Sequence, residues 1–130
     1  MTNTINKYSP SISHDAAFKL GLNIIEKWGC SEPQKQAILG VSKDTFAQYH
    51  AESTNIELTG DQLERISYLA NIHSSLRLMF SNPKNVYGFM NMENNNPYFN
   101  GRSPLSLICS GNFGILYEVY KRIDSMKNAM

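Results

Sequence analysis

An all-α fold is what this sequence predicts, and three observations carry the expectation. Apolar residues recur at three- and four-residue steps in several segments, the spacing that lines one face of a helix. Hydroxyl or amide side chains suited to capping stand at the heads of those segments, with glycine or Asn-Pro at their ends. Nowhere do four or more residues alternate in the manner of a half-buried strand.

Met1 to about Ile12 mixes Asn, Thr, Ser and one Pro without a usable period and reads as a flexible arm, expected to span residues 1–14 before the first domain. From Asp15 onward Ala17, Phe18, Leu22, Ile25 and Trp28 form the stripe of a first helix, which Gly29 closes. Ser31-Glu32-Pro33-Gln34 combines a capping hydroxyl, a first-turn proline and a reciprocal glutamine, and so opens a short helix through Ala37, Ile38 and Leu39. Gly40-Val41-Ser42 interrupts it. Ser42 then caps about two turns over Lys43–His50, with Phe46 and Tyr49 on one side.

Residues 51–58 lack a period and are read as the boundary between a unit at 15–58 and a second at 59–130. Thr59-Gly60-Asp61-Gln62 is another capping box. It opens the longest run, in which Leu63, Ile66, Leu69, Ala70, His73, Leu76, Met79 and Phe80 are expected on one face. Asn82-Pro83 ends that helix and begins the next, carrying Val86, Phe89 and Met90 up to Asn94-Asn95-Asn96-Pro97. Ser103-Pro104 starts a short helix over Leu105, Leu107 and Ile108. Gly111 closes it, and Asn112 caps a last helix striped by Leu116, Val119, Tyr120, Ile123 and Met126.

Across 130 residues, 12 basic side chains oppose 11 acidic ones, a net charge of +1, so no general field attracts nucleic acid or anionic lipid. Any DNA contact must be local. The opening residues are too polar for the apolar region of a signal peptide, and the expectation is a cytoplasmic protein with no membrane association. Cys30 and Cys109 belong to no CxxC pair and are expected as small core or boundary residues. No metal site is expected, because His14, His50 and His73 stand apart from one another and from both cysteines. No cofactor and no catalytic residue are expected either: GxSxG, HExxH and P-loop motifs are absent, and His73 with Glu64 or Asp61 is the sole conceivable nucleus of an enzyme.

The helix pair around Gly40 has the small residue, turn glycine and apolar positions that let two helices cross closely, as in a DNA reader. In a groove, Ser42, Lys43, Thr45 and Gln48 project from the second helix, and Gln48 offers the donor and acceptor pair that adenine takes. A helical hairpin packed purely for support is the alternative. Residues 1–58 hold five Lys against six Asp and Glu, a balance of −1 and weak footing for phosphate contacts.

Gln36-Ala37-Ile38-Leu39-Gly40-Val41-Ser42-Lys43-Asp44-Thr45 resembles the helix-turn-helix of Xre-type antitoxins. The C-terminal half is similar to the MbcA/ParS/Xre toxin-binding domain, most specifically in Phe99-Asn100-Gly101-Arg102-Ser103-Pro104-Leu105. The resemblance covers most of residues 20–125. It implies a homodimeric, non-enzymatic antitoxin that binds and occludes a RES-domain, NAD-consuming toxin and also binds operator DNA. Asn100, Gly101, Arg102, Ser103, Pro104, Lys121 and Arg122 are the implied toxin contacts, with Arg102 free to reach a partner's cleft; for Gly101 and Pro104 a purely architectural role, a tight turn and a fixed helix start, is the preferred alternative. The basic recognition helix and glycine-led tail of many relatives are not present here. A free-standing helix-turn-helix regulator whose C-terminal half only dimerises is the second reading.

Overall fold

The computed structural model describes residues 13–51 and 55–129. The arm expected over 1–12 lies outside them, whereas Ser13 and His14, assigned to that arm, belong to the first helix. Ser13 Oγ accepts the Ala16 N–H at 3.0 Å and caps α1, His14–Lys27. His14 Nδ1 accepts the Leu58 N–H at 2.8 Å, pinning the start of α1 to the later chain.

The capping boxes form as the spacing predicts. At Ser31 the backbone N–H donates to Gln34 Oε1 at 2.8 Å while the hydroxyl accepts the Gln34 N–H, opening α2, Glu32–Leu39. Thr59 and Gln62 exchange the same pair of bonds at the head of α4, Gly60–Met79. Each box satisfies two amides that a helix start otherwise leaves without a partner. Ser42 caps α3, Lys43–His50. Asn82 with Pro83 begins α5, Pro83–Gly88, which tightens into a 3₁₀ turn over Phe89–Asn91 rather than continuing as the single helix expected. Ser103 caps α6, Pro104–Ile108, and Asn112 Oδ1 accepts the Ile115 N–H at 2.9 Å to cap α7, Phe113–Asn128. No strand occurs among the described residues.

The long helix departs from its expected single face. Ile66, Leu69, Ile72 and Leu76 are all but inaccessible, and Ser67, Tyr68 and Ser75 on other sides are buried as well. Helix α4 is the central rod: α1 packs along one side and α7 along another, so burial runs around it. Small residues allow the close approach. A Cβ placed on Gly21 of α1 would come within 3.0 Å of Ile66 Cγ1, and Ser75 of α4 lies 3.4 Å from Asp124 of α7. Leu22, expected in the buried stripe, moves to its edge, while Gly21 and Ile24 take the interior.

Within the stretch 51–58, residues 52–54 lie outside the described residues. Ile56 and Leu58 are buried, and the apolar cluster is continuous from Ala17 to Ile123. Cys30 is buried and free, Cys109 half-buried and free. Burial above all, then Cys109, pushes the Cys30 thiol up to about 12, an unreactive state. No helix among the described residues is long and apolar enough to cross a membrane.

Candidate functional site

Two surfaces concentrate the residues singled out from the sequence. The first is the pair α2 and α3. Gly40 adopts φ +69, a left-handed conformation that L side chains rarely take, and turns the chain from one helix into the other. Phe46 is buried, and Phe18 of α1 meets it and Tyr49 edge-on at 6.1 and 5.5 Å. The Tyr49 hydroxyl donates to Glu57 O at 3.0 Å and accepts the Glu57 N–H at 3.3 Å, tying the end of α3 to the following chain. The inner face of α3 is thereby fixed, and its outer face is exposed.

That outer face carries Lys43, Asp44, Ala47 and Gln48. Of the four residues expected to read DNA, Lys43 and Gln48 are exposed there. Ser42 and Thr45 spend their hydroxyls on the helix start: Ser42 Oγ accepts the Thr45 N–H at 3.2 Å and donates to Thr45 Oγ1 at 2.9 Å. One cation beside one carboxylate gives this face little charge of its own to hold phosphate.

Helix α4 locks the turn. Gln62 Nε2 donates to Gly40 O at 2.9 Å. Arg65, only 8% exposed, donates through Nε to Asp61 at 2.9 Å and through Nη1 to the carbonyls of Ala37, Ile38 and Gly111 at 3.4, 3.3 and 3.0 Å. Its guanidinium also lies 5.5 Å from the Phe113 ring centre. A single side chain thus joins the end of α2 to the start of α7. Sequence reasoning missed it, because Asp61 and Arg65 four residues apart carry only the signal of an ordinary surface ion pair.

The second surface is the corner between the 3₁₀ turn and α6. Asn100 and Gly101 have φ +52 and +86, the two left-handed positions of a type I′ turn, closed by the Arg102 N–H on Phe99 O at 3.0 Å. Asn94 braces it: its carbonyl accepts the Gly101 N–H at 2.7 Å and its N–H donates to Arg102 O. The triple asparagine supplies turn chemistry, with Asn94 Oδ1 accepting the Asn96 N–H at 2.9 Å. Phe99 anchors the corner in the core.

One expectation changes here. Arg102 is exposed but not free, for its Nε and Nη2 donate to Phe99 O and Tyr98 O at 2.8 Å each. Pro104 is buried and shapes the helix start without facing outward. Asn100 is exposed, and Gly101 and Ser103 are half-buried. Lys121 and Arg122 are exposed on α7, and the Arg122 guanidinium lies 4.8 Å from the Tyr98 ring centre. A cavity of about 320 Å³ opens between them, lined by Pro97, Tyr98, Phe99, Arg122 and Met126 among others. Corner and last helix therefore present one continuous surface.

The conceivable catalytic nucleus does not assemble. Asp61 is paired with Arg65, Glu64 accepts the Tyr68 hydroxyl at 2.8 Å, and His73 lies about two and a half turns beyond Glu64 along α4, on the order of 13 Å by helical rise. His73 stacks on Tyr87 at 5.6 Å. Among the described residues no group of three His, Cys, Asp or Glu could hold a metal ion. Burial first, then the charges of Arg77 and Lys27, holds the His73 imidazole below the ordinary 6.5. The unfolded chain then binds that proton more readily than the folded one, so the contribution is full above pH 6.5 and is lost as pH falls beneath it. Urea unfolding from about pH 7.5 down to about pH 5 is expected to show the loss, and His73→Gln to remove that part of it.

A glycine-turned pair of short helices, held on a third and presenting one outer face, defines a helix-turn-helix domain in the N-terminal part of this all-α chain. Residues 12–71 match the family model of the antitoxin Xre-like helix-turn-helix domain. The matched segment runs through α1, α2 and α3 and into α4, across the boundary expected at 58–59. No curated protein and no solved structure matches the chain.

Proposed function

We propose that this protein is the antitoxin of a type II toxin–antitoxin system, binding operator DNA through α3 and a cognate toxin through the corner and α7. The match of residues 12–71 to an antitoxin type of helix-turn-helix is the observation that carries the reading. The toxin proposed is a RES-domain, NAD-consuming enzyme whose active site the C-terminal half blocks, on the resemblance of Phe99–Leu105 and its surroundings to MbcA/ParS/Xre domains. The corner suits that task physically. Its turn is held by backbone bonds and by Arg102 folded onto its own carbonyls, so little conformational entropy remains to be lost on docking. Asn100, Lys121 and Arg122 are the outward groups.

On the DNA side, a single near-neutral module binds weakly. A homodimer places two readers on paired half-sites and raises the effective concentration of the second. Co-expression with the product of the neighbouring gene is the deciding experiment: stable co-purification and relief of its toxicity are expected, and absence of both would reject the antitoxin reading. The second reading, a stand-alone regulator, draws on the half-exposed Tyr117, which meets Tyr68 and Tyr120 edge-on at 5.4 and 6.1 Å in an aromatic patch able to self-associate. It expects promoter binding that falls steeply with salt and gains nothing from a second protein.

A further inference from the structure

The far end of α4 carries a surface used by neither the helix-turn-helix nor the corner. Two shallow clefts of about 400 and 340 Å³ meet at Arg77, the first floored by Phe80, Val86 and Tyr87, the second bounded by His73 and Leu78. Leu78 is 73% exposed, the most of any large apolar side chain among the described residues. Arg77 is exposed and has no ion-pair partner there. Lys27 reaches over the Tyr87 ring at 5.1 Å, also without a carboxylate, and Lys84 stands one turn before Tyr87 on α5.

The local field is positive. The charges felt by His73 are those of Arg77 and Lys27, with no carboxylate among them, and its Nδ1 is buried without a hydrogen-bond partner. Exposed apolar surface beside uncompensated cations selects an anionic group carried on an apolar frame. Open clefts on either side of Arg77 favour an extended chain over a small ligand, which seeks enclosure.

We infer that this cleft docks an acidic segment of a partner protein, a carboxylate pairing with Arg77 while flanking apolar side chains cover Leu78, Phe80 and Tyr87. Twelve residues of helical rise, about 18 Å, separate Arg77 from Arg65 beneath the helix-turn-helix turn, so the segment can bind while α3 engages DNA.

Amide NMR titration of the full chain with the peptide acetyl-Leu-Asp-Leu-Glu-Leu-amide tests this, beside its Asn/Gln counterpart and inorganic phosphate. Saturable shifts at Arg77, Leu78 and Tyr87 are expected, weaker by about fivefold or more for the neutral peptide and by about tenfold for the acidic one on Arg77→Gln. Arg122→Gln, on the other surface, is expected to leave them unchanged. Equal binding of the neutral peptide would overturn the inference. So would phosphate saturating the same residues as tightly as the acidic peptide, which would make this a small-anion site, or no shift at millimolar peptide.

Discussion

Arg65→Met is expected to lower the stability of the fold by about 2–5 kcal/mol, read as a lower midpoint in urea with an unchanged slope. The variant keeps most of the side-chain volume but withdraws the donors from the carbonyls of Ile38 and Gly111, the first bond buried and the second partly so. Leaving such acceptors without a donor costs about 1–3 kcal/mol apiece. The Ala37 carbonyl is less affected, since the Gly40 N–H also reaches it at 3.2 Å. Asp61 is half exposed and returns to water, so the ion pair itself contributes the smaller share. Arg65→Lys preserves the charge but not the fork of donors, and is expected to recover less than half of the loss. A midpoint shift equivalent to under about 0.5 kcal/mol for Arg65→Met would mean that the clamp holds nothing.

Phe99→Ala should be costlier still, about 3–5 kcal/mol, because an inaccessible aromatic ring leaves a cavity that the surroundings fill only in part. Its effect is local as well as global. Phe99 seats a turn whose carbonyl accepts both the Arg102 N–H and Arg102 Nε, so amide shifts are expected to concentrate over residues 94–104. Under the proposed function, toxin neutralisation fails before operator binding does. Arg122→Ala separates contact from stability: its stacking on Tyr98 and its exposed pair with Glu118 together contribute no more than about 1–2 kcal/mol. Neutralisation lost in that variant, with unfolding nearly unchanged, assigns the role to the surface. Full neutralisation by both variants would remove the corner from the proposed contact.

Much of the architecture was legible in the chain because its punctuation is chemical and local. Ser31 with Gln34 and Thr59 with Gln62 announce helix starts through bonds spanning three residues, and both boxes form. Gly40 announces the turn of the helix pair for the same reason. The candidate surfaces were legible only in outline. Ser42 and Thr45 are read from the sequence as base contacts, but the sequence does not show that the Ser42 hydroxyl accepts the Thr45 N–H and donates to Thr45 Oγ1 at the helix start. Arg102 looked free because it follows a turn glycine, yet that turn points two carbonyls back at its guanidinium. Nothing in the order of residues told which way those side chains would fold.

By itself the sequence determined the helical class, most of the helix starts and the helix-turn-helix, since caps, turn glycines and apolar periodicity act within a few residues of where they stand. Tertiary structure alone decided that α4 is wrapped by α1 and α7, that Gly21 must be small against Ile66, and that Arg65 reaches carbonyls 27 and 46 positions away. The reason is physical: a cap finds its partner along the chain, whereas a buried guanidinium finds its partners only where separate helix ends converge.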